Sequence, residues 1–468
     1  MDRLLSGNAR LDEVLGGGLP VNGINLISGL PGSGKTMLAE QYVFENATEQ
    51  RPAVYLATMS EPFDKMIRYG QEFTFFDRHA IGRRVFFDSL SDALQQRGLA
   101  GALDEITTIL RERTPGILVI DSFKALGAFA PDAQGFRRFA SELAERLSAT
   151  PTSVFWVGEY DSDEPNEAPE FAVADAIITF RTGVSGTRQT RTLRVIKLRG
   201  SAYLSGEHAY RLSPEGVHVF PRLADVPLTT GYDVGQGRIS MGVPEVDQML
   251  DGGLFRSSST LLAGPSGSGK TVLALHYLAA GVRAGEPVLL ASLQENPSQI
   301  HETLGAFGID QTGFDILYHT PVDLYIDEWV YEVLDTAARL GVRRIVIDSI
   351  NDLGIAIGEE ARLREYLYSL SQRCSRMGIS LLLTFETSEL TGLSSVSEGK
   401  AVSNLADNVL LLRYTLLGTQ IGRALAVLKT RGSGHDLFLR PFTISPKGIS
   451  VAAAPSPEDD LPSSGRTL

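Results

Sequence analysis

The chain has 468 residues, a net charge of −13 and a single cysteine, Cys374. That length suits two or three domains, each long enough to bury its own core. One cysteine excludes an intramolecular disulfide and a thiolate zinc site. The acidic balance speaks against a general nucleic-acid binder, because phosphate contacts need cations. No run of about 18 apolar residues offers a membrane span. Met1-Asp-Arg-Leu-Leu-Ser-Gly7 lacks the basic flank and apolar stretch of a signal peptide. The expectation is a cytoplasmic protein with no membrane partner.

The first elements read clearly. Gly7-Asn-Ala-Arg-Leu-Asp12 leads to Gly16-Gly-Gly18-Leu19, and Gly23-Ile-Asn-Leu-Ile-Ser28 follows as a short apolar strand. Gly29-Leu-Pro-Gly32-Ser33-Gly34-Lys35-Thr36 then matches G-x-x-x-x-G-K-[ST] in full. The glycines let backbone N–H groups turn toward phosphate oxygens, and the helix running through Met37-Leu-Ala-Glu-Gln-Tyr-Val adds the positive end of its dipole. In this motif Lys35 reaches the β- and γ-phosphates and the Thr36 hydroxyl ligates Mg²⁺. Ala53-Val-Tyr-Leu-Ala57 and Gly116-Ile-Leu-Val-Ile120 suit strands buried on both faces. Asp121 ends the latter run, where a carboxylate orders the Mg²⁺ shell; capping of the next helix is the competing role. Strands alternating with helices predict a parallel sheet flanked by helices, with ligand beyond the carboxyl ends of the strands.

The same series then returns in order. Gly242-Val-Pro-Glu-Val-Asp247 leads to Gly252-Gly253-Leu254, and Gly264-Pro-Ser-Gly267-Ser268-Gly269-Lys270-Thr271 is a second complete phosphate loop. Asp348 ends Ile345-Val-Ile347 as Asp121 ends its strand, and serine follows each (Ser122, Ser349). Val173-Ala-Asp175 pairs with Leu405-Ala-Asp407, and Val195-Ile-Lys197-Leu-Arg199-Gly-Ser201 with Val427-Leu-Lys429-Thr-Arg431-Gly-Ser433. Leu212-Ser-Pro-Glu-Gly-Val217 echoes Ile444-Ser-Pro-Lys-Gly-Ile449. Motifs in one order at nearly constant spacing mean two homologous domains. They are placed at 1–229 and 230–454, with a Gly-rich linker over 228–237 and a Pro/Ser/acid-rich disordered tail over 455–468.

Together these features resemble the KaiC family of tandem RecA-like P-loop ATPases, over residues 1 to about 452. The Gly-Gly-Leu approach, both phosphate loops, the Asp-Ser pairs and Lys-x-Arg-Gly-Ser near each domain's end carry the likeness, with Arg431-Gly-Ser-Gly-His435-Asp436 added in the second domain. The resemblance implies ATP as nucleotide and Mg²⁺ as metal. It also implies a homohexamer with nucleotide at subunit interfaces. Lys197, Arg199, Lys429 and Arg431 match positions that reach a neighbour's nucleotide, and His435 matches a histidine near it. A trans arginine neutralises charge developing on the γ-phosphate.

The departures matter as much. After the second core strand the family has two adjacent glutamates, the first positioning or deprotonating the attacking group. Here the first domain reads Thr58-Met59-Ser60-Glu61 and the second Ser292-Leu293-Gln294-Glu295. The first acid is replaced in both, which implies slow hydrolysis, with Glu61 and Glu295 available to take over. The family's clock kinases phosphorylate adjacent serine and threonine before the Ala-Asp segment. Ser403 retains the serine and Asn404 replaces the threonine, so serine autophosphorylation is expected at one position at most. The readings are an ATPase with serine autokinase activity, a nucleotide-gated ring scaffold with a regulatory protein partner, and, least favoured, a DNA-dependent motor. His208 is read as structural. Arg137-Arg138 and Arg343-Arg344 are read as solvated faces or ring contacts.

Overall fold

The computed structural model describes residues 2–58, 63–160, 168–185, 188–226, 237–387, 405–417 and 420–453, without the side chains of 63, 64, 185, 323 and 417. The chain divides into two compact units, Met1–Val226 and Pro227–Leu468. Most of the expected linker and the whole 455–468 tail lie outside the described residues.

Each unit is built on a nine-stranded sheet. In the first unit the order is Gly216–Phe220, His208–Ser213, Arg188–Leu198, Ala176–Ser185, Ile24–Ser28, Ser153–Gly158, Ile117–Asp121, Ala53–Ala57, Val85–Ser89. From Ala176–Ser185 to Val85–Ser89 every neighbouring pair is parallel. The remaining strands are antiparallel. The expected parallel core is present, and antiparallel strands extend it at one edge. Two of the three antiparallel pairs join through two-residue connections, Ser185 to Arg188 and Ser213 to Gly216, which allow only antiparallel pairing. The second unit has the same order, taken from the opposite edge: Phe314–Tyr318, Val288–Ser292, Arg344–Asp348, Ser380–Glu386, Ser259–Gly264, Asn408–Leu417, Gln420–Thr430, Arg440–Ser445, Gly448–Val451.

The parallel strands are continuous apolar runs because helices cover both faces. Ile24–Ser28 and Ala53–Ala57 are buried throughout. Alternate residues feed two separate cores: Ile27, Tyr55, Val119 and Phe155 one, Leu26, Leu56, Ile120 and Trp156 the other. A small antiparallel pair, Arg3–Leu4 with Leu19–Pro20, precedes the first loop, and Arg238–Ile239 with Leu254–Phe255 precedes the second. Asp12 and Asp247 tie these leaders down, accepting the backbone N–H of Ser6 at 2.9 Å and of Met241 at 2.7 Å.

Arg344 departs from the sequence reading. It is 2% exposed rather than solvated. Its Nε donates to Glu286 at 2.6 Å and its Nη1 to the carbonyls of Ser240 and Tyr277. Opening a buried strand, it sets these donors against one carboxylate and two backbone carbonyls. His208 is structural as expected: it is buried, Nε2 bonds the Leu204 carbonyl, and Nδ1 accepts the Arg222 N–H.

Candidate nucleotide sites

Both phosphate loops sit where the sheet topology places ligands, between the end of a central strand and the start of a helix. The helices Lys35–Asn46 and Lys270–Arg283 are each preceded by a left-handed glycine, Gly34 at φ 97° and Gly269 at φ 104°, and neither has a side-chain cap. Their first-turn N–H groups are therefore open to an anion. The positive φ favours glycine at both positions, and a Cβ would also crowd a neighbour, lying 2.6 Å from Leu212 Cδ2 on Gly34 and 2.7 Å from Ile444 Cδ1 on Gly269. Gly29, Gly32, Gly264 and Gly267 complete the two loops.

The loop side chains are arranged alike. Thr36 Oγ1 donates to Asp121 Oδ2 at 2.8 Å, and Thr271 Oγ1 to Asp348 Oδ2 at 2.7 Å. Lys35 Nζ donates to the Leu30 carbonyl at 2.8 Å, and Lys270 Nζ to those of Gly264 and Pro265 at 2.9 and 3.0 Å. Burial lowers the pKa of both lysines, opposed by Glu159 and Asp121 in one unit and by Glu386 and Asp348 in the other. Burial likewise raises Asp121, partly offset by hydrogen bonds from Tyr55 and Thr36. Ser33 Oγ and Ser268 Oγ are buried with no hydrogen-bond partner among the described residues. Open helix N-termini, hydroxyl–carboxylate pairs and orphaned loop serines fit a nucleoside triphosphate with a divalent metal. In that fit Thr36 with Asp121, and Thr271 with Asp348, would hold Mg²⁺. The peptide bonds Asp121–Ser122 and Asp348–Ser349 are both cis.

Several site residues were not read from the sequence. Tyr55 donates to Asp121 Oδ2 at 2.6 Å, whereas in the second unit Thr384 donates to Asp348 Oδ1. Glu386 Oε2 lies 3.9 Å from Lys270 Nζ, and Glu159 follows the corresponding strand of the first unit. The available signal was an acid at or just past the end of a buried strand, Trp156-Val-Gly-Glu159 and Thr384-Phe-Glu386, in both repeats.

Ser60 and Glu61 lie outside the described residues, as do Ser403 and Asn404. Gln294 donates through Nε2 to Asp352 Oδ2 at 3.0 Å and to Ser349 Oγ at 3.4 Å. Glu295 Oε2 is buried without a hydrogen-bond partner among the described residues; burial, then Asp348, raises its pKa.

The four basic residues near the domain ends lie elsewhere. Lys197 Nζ donates to the Ala172 carbonyl at 3.1 Å and Arg199 Nη1 to Asp175 Oδ1 at 3.1 Å. Arg431 Nη1 makes the matching bond to Asp407 Oδ1 at 3.2 Å, while Lys429 Nζ donates to the Ala406 carbonyl at 2.6 Å, two repeat positions beyond the one Lys197 uses. Asp175 also accepts the N–H of Ile24, at the start of the strand whose other end carries the phosphate loop. That strand has 5 residues, so this cluster stands about 15 Å from its own unit's loop at roughly 3.3 Å per residue. His435 Nε2 is buried with no partner among the described residues.

Two parallel-dominant sheets, each with an intact phosphate loop at its carboxyl edge, define a tandem P-loop NTPase of the RecA-like class. A family model described as "ATPase: KaiC" matches residues 5–224, 239–316 and 324–456. The chain therefore belongs to the KaiC ATPase family, and ATP is the nucleotide that family binds. It is 28% identical over 458 residues to the circadian clock oscillator protein KaiC of Picosynechococcus sp., covering 94% of this chain and 88% of that protein. It is 28% identical to the circadian clock oscillator protein KaiC 1 of Synechocystis sp., with 94% and 87% covered. It is 27% identical to KaiC of Parathermosynechococcus lividus, with 95% and 84% covered. Among the described residues no helix is long and apolar enough to cross a membrane.

Proposed function

We propose that this protein binds Mg-ATP in both units, hydrolyses it slowly, and assembles as a homohexamer with nucleotide between subunits. The observation that carries the reading is the duplicated Thr–Asp pair beside a buried loop lysine. Thr36, Asp121, Thr271 and Asp348 are the metal residues of this reading. Lys35, Lys270 and the glycine and serine groups of the loops bind the phosphates. Bound Mg²⁺ neutralises phosphate charge and holds the triphosphate in one conformation.

Assembly follows from the basic pairs. Lys197 and Arg199, or Lys429 and Arg431, stand at the far edge of their sheet and cannot serve their own loop. Presented to an adjoining subunit, they meet its γ-phosphate, with Arg199 and Arg431 as the trans arginines. Slow turnover follows from the replaced first acids, leaving Glu61 and Glu295 as the retained carboxylates. The raised pKa of Glu295 suits a proton acceptor. Ser403 is the candidate acceptor for autophosphorylation.

One experiment separates these parts. Solution mass with and without Mg-ATP, ADP release, and phosphopeptide mass spectrometry are measured on the same preparation. The expected result is a nucleotide-dependent hexamer with ADP released over many minutes. A monomer at saturating Mg-ATP sinks the interface reading, and an unmodified Ser403 at long times sinks the kinase reading.

A further inference from the structure

One difference between the two units lies just after the strand-end aspartate of the site. Four residues after the strand-end aspartate, the second unit has Asp352 where the first has Ala125. Asp352 is 8% exposed and opens the helix Ile350–Ile357, directly behind the Asp348–Ser349 corner. Its Oδ2 accepts from Ser349 Oγ at 2.6 Å and from Gln294 Nε2 at 3.0 Å. An ionised carboxylate accepts and does not donate. It therefore fixes which end of the Gln294 amide faces it, and the amide's carbonyl oxygen points away from Asp352. Leu293, the residue before Gln294, donates its N–H to the Asp348 carbonyl at 2.8 Å, so the glutamine is anchored to the metal-side strand through backbone as well. Gln294 itself is exposed at the site.

We propose that Gln294 orients the attacking water in the second site and that Asp352 is its positioning residue. This rests on the reading that the second site hydrolyses Mg-ATP. The water oxygen bonds to the γ-phosphorus, and the bond to the β–γ bridging oxygen breaks with its electron pair staying on ADP. One proton of the water passes by way of the retained Glu295 carboxylate to the phosphate product and solvent. Gln294 accepts a hydrogen bond from the water and takes no proton, as the water-orienting glutamine of small GTPases does. The acid lost at 294 and the acid present at 352 are then one exchange. A glutamate at 294 would face the Asp352 carboxylate, and two carboxylates in contact share a proton, which raises one pKa. Restoring the family's acid alone therefore does not restore a base near neutral pH or below.

The test uses the full chain with Lys35→Ala, so that turnover reports the second site. Mg-ATP affinity, kcat and KM are measured from pH 6 to 9 for the parent, Asp352→Ala, Asp352→Asn, Gln294→Glu and Gln294→Glu/Asp352→Ala. Asp352→Ala is expected to lower kcat by about ten- to hundredfold with KM nearly unchanged, as loss of a supporting contact does. Asp352→Asn, whose amide oxygen still accepts from Gln294, restores most of that loss. Gln294→Glu gains nothing at pH 6, and the double variant exceeds it there by about tenfold or more, as contacting residues couple non-additively. Equal kcat in the parent and Asp352→Ala overturns the proposal, as does Asp352→Asn no better than Asp352→Ala, or Gln294→Glu alone matching the double variant at pH 6. A parent that binds Mg-ATP but never releases ADP overturns the hydrolysis reading itself, and this role with it.

Discussion

Gly269→Ala puts the geometry of the second phosphate loop to a quantitative test. Gly269 has φ 104°, in the left-handed region. An L side chain there costs about 1–2 kcal/mol from backbone crowding. The new Cβ would stand 2.7 Å from Ile444 Cδ1. Ile444 is packed against the second unit's core, so relief requires repacking, at about 1–3 kcal/mol for one added methyl. The sum, about 2–5 kcal/mol, is a large share of the 5–15 kcal/mol typical of a domain. The two tryptophans make the assay specific: Trp156 lies in the first unit and Trp329 in the second, and both are fully buried. In a Trp156→Phe background, urea unfolding followed by fluorescence reports the second unit alone. Adding Ile444→Ala to Gly269→Ala should show favourable coupling of about 1 kcal/mol or more, because the clash is removed while the backbone cost stays. A loss below about 1 kcal/mol for Gly269→Ala, with no coupling to Ile444, refutes this description of the loop.

Further outcomes follow from the same geometry. Burial holds the Asp121 pKa above its ordinary 3.8. The folded state therefore keeps this proton at pH values where the unfolded chain has lost it. The resulting stability is present below the ordinary value and is lost as pH rises through the folded one. Asp121→Asn should therefore raise the melting temperature without nucleotide at pH 7 and flatten that part of the pH profile. It should also weaken Mg²⁺-dependent nucleotide binding by about ten- to hundredfold; a lower melting temperature at pH 7 without nucleotide contradicts the burial argument. Arg431→Ala breaks an ion pair whose side chains are 64% and 31% exposed, so chain stability should change by less than about 0.5–1 kcal/mol. Turnover in the assembled protein should nonetheless fall by about 10³-fold or more if the arginine acts across the interface. Unchanged turnover in an intact assembly removes it from that role.

The phosphate loops were legible because their chemistry is local: eight consecutive residues specify the turn, the lysine and the hydroxyl. The duplication was legible because it repeats those local signals in order. The sheet was legible only as an alternation of apolar runs. Nothing in Arg188–Leu198 alone states that it returns antiparallel to Ala176–Ser185; the two-residue connection does. The supporting contacts were less accessible still. Tyr55 and Thr384 occupy unrelated places in the repeat, yet each donates to the strand-end aspartate of its own unit. Their equivalence exists only once neighbouring strands are in register. Asp352 carried the plainest signal overlooked, an acid after Asp348-Ser-Ile-Asn that the first repeat lacks. Arg344 shows the converse failure, since a charged pair in sequence says nothing about which member a strand carries inward.

The claim on which the rest depends is that both loops hold nucleotide. Titration of the full chain with Mg-ATP, followed by calorimetry, measures this directly. Two equivalents per chain are predicted, with Lys35→Ala and Lys270→Ala each removing one. A single equivalent in the parent chain, or either lysine variant still binding two, contradicts it.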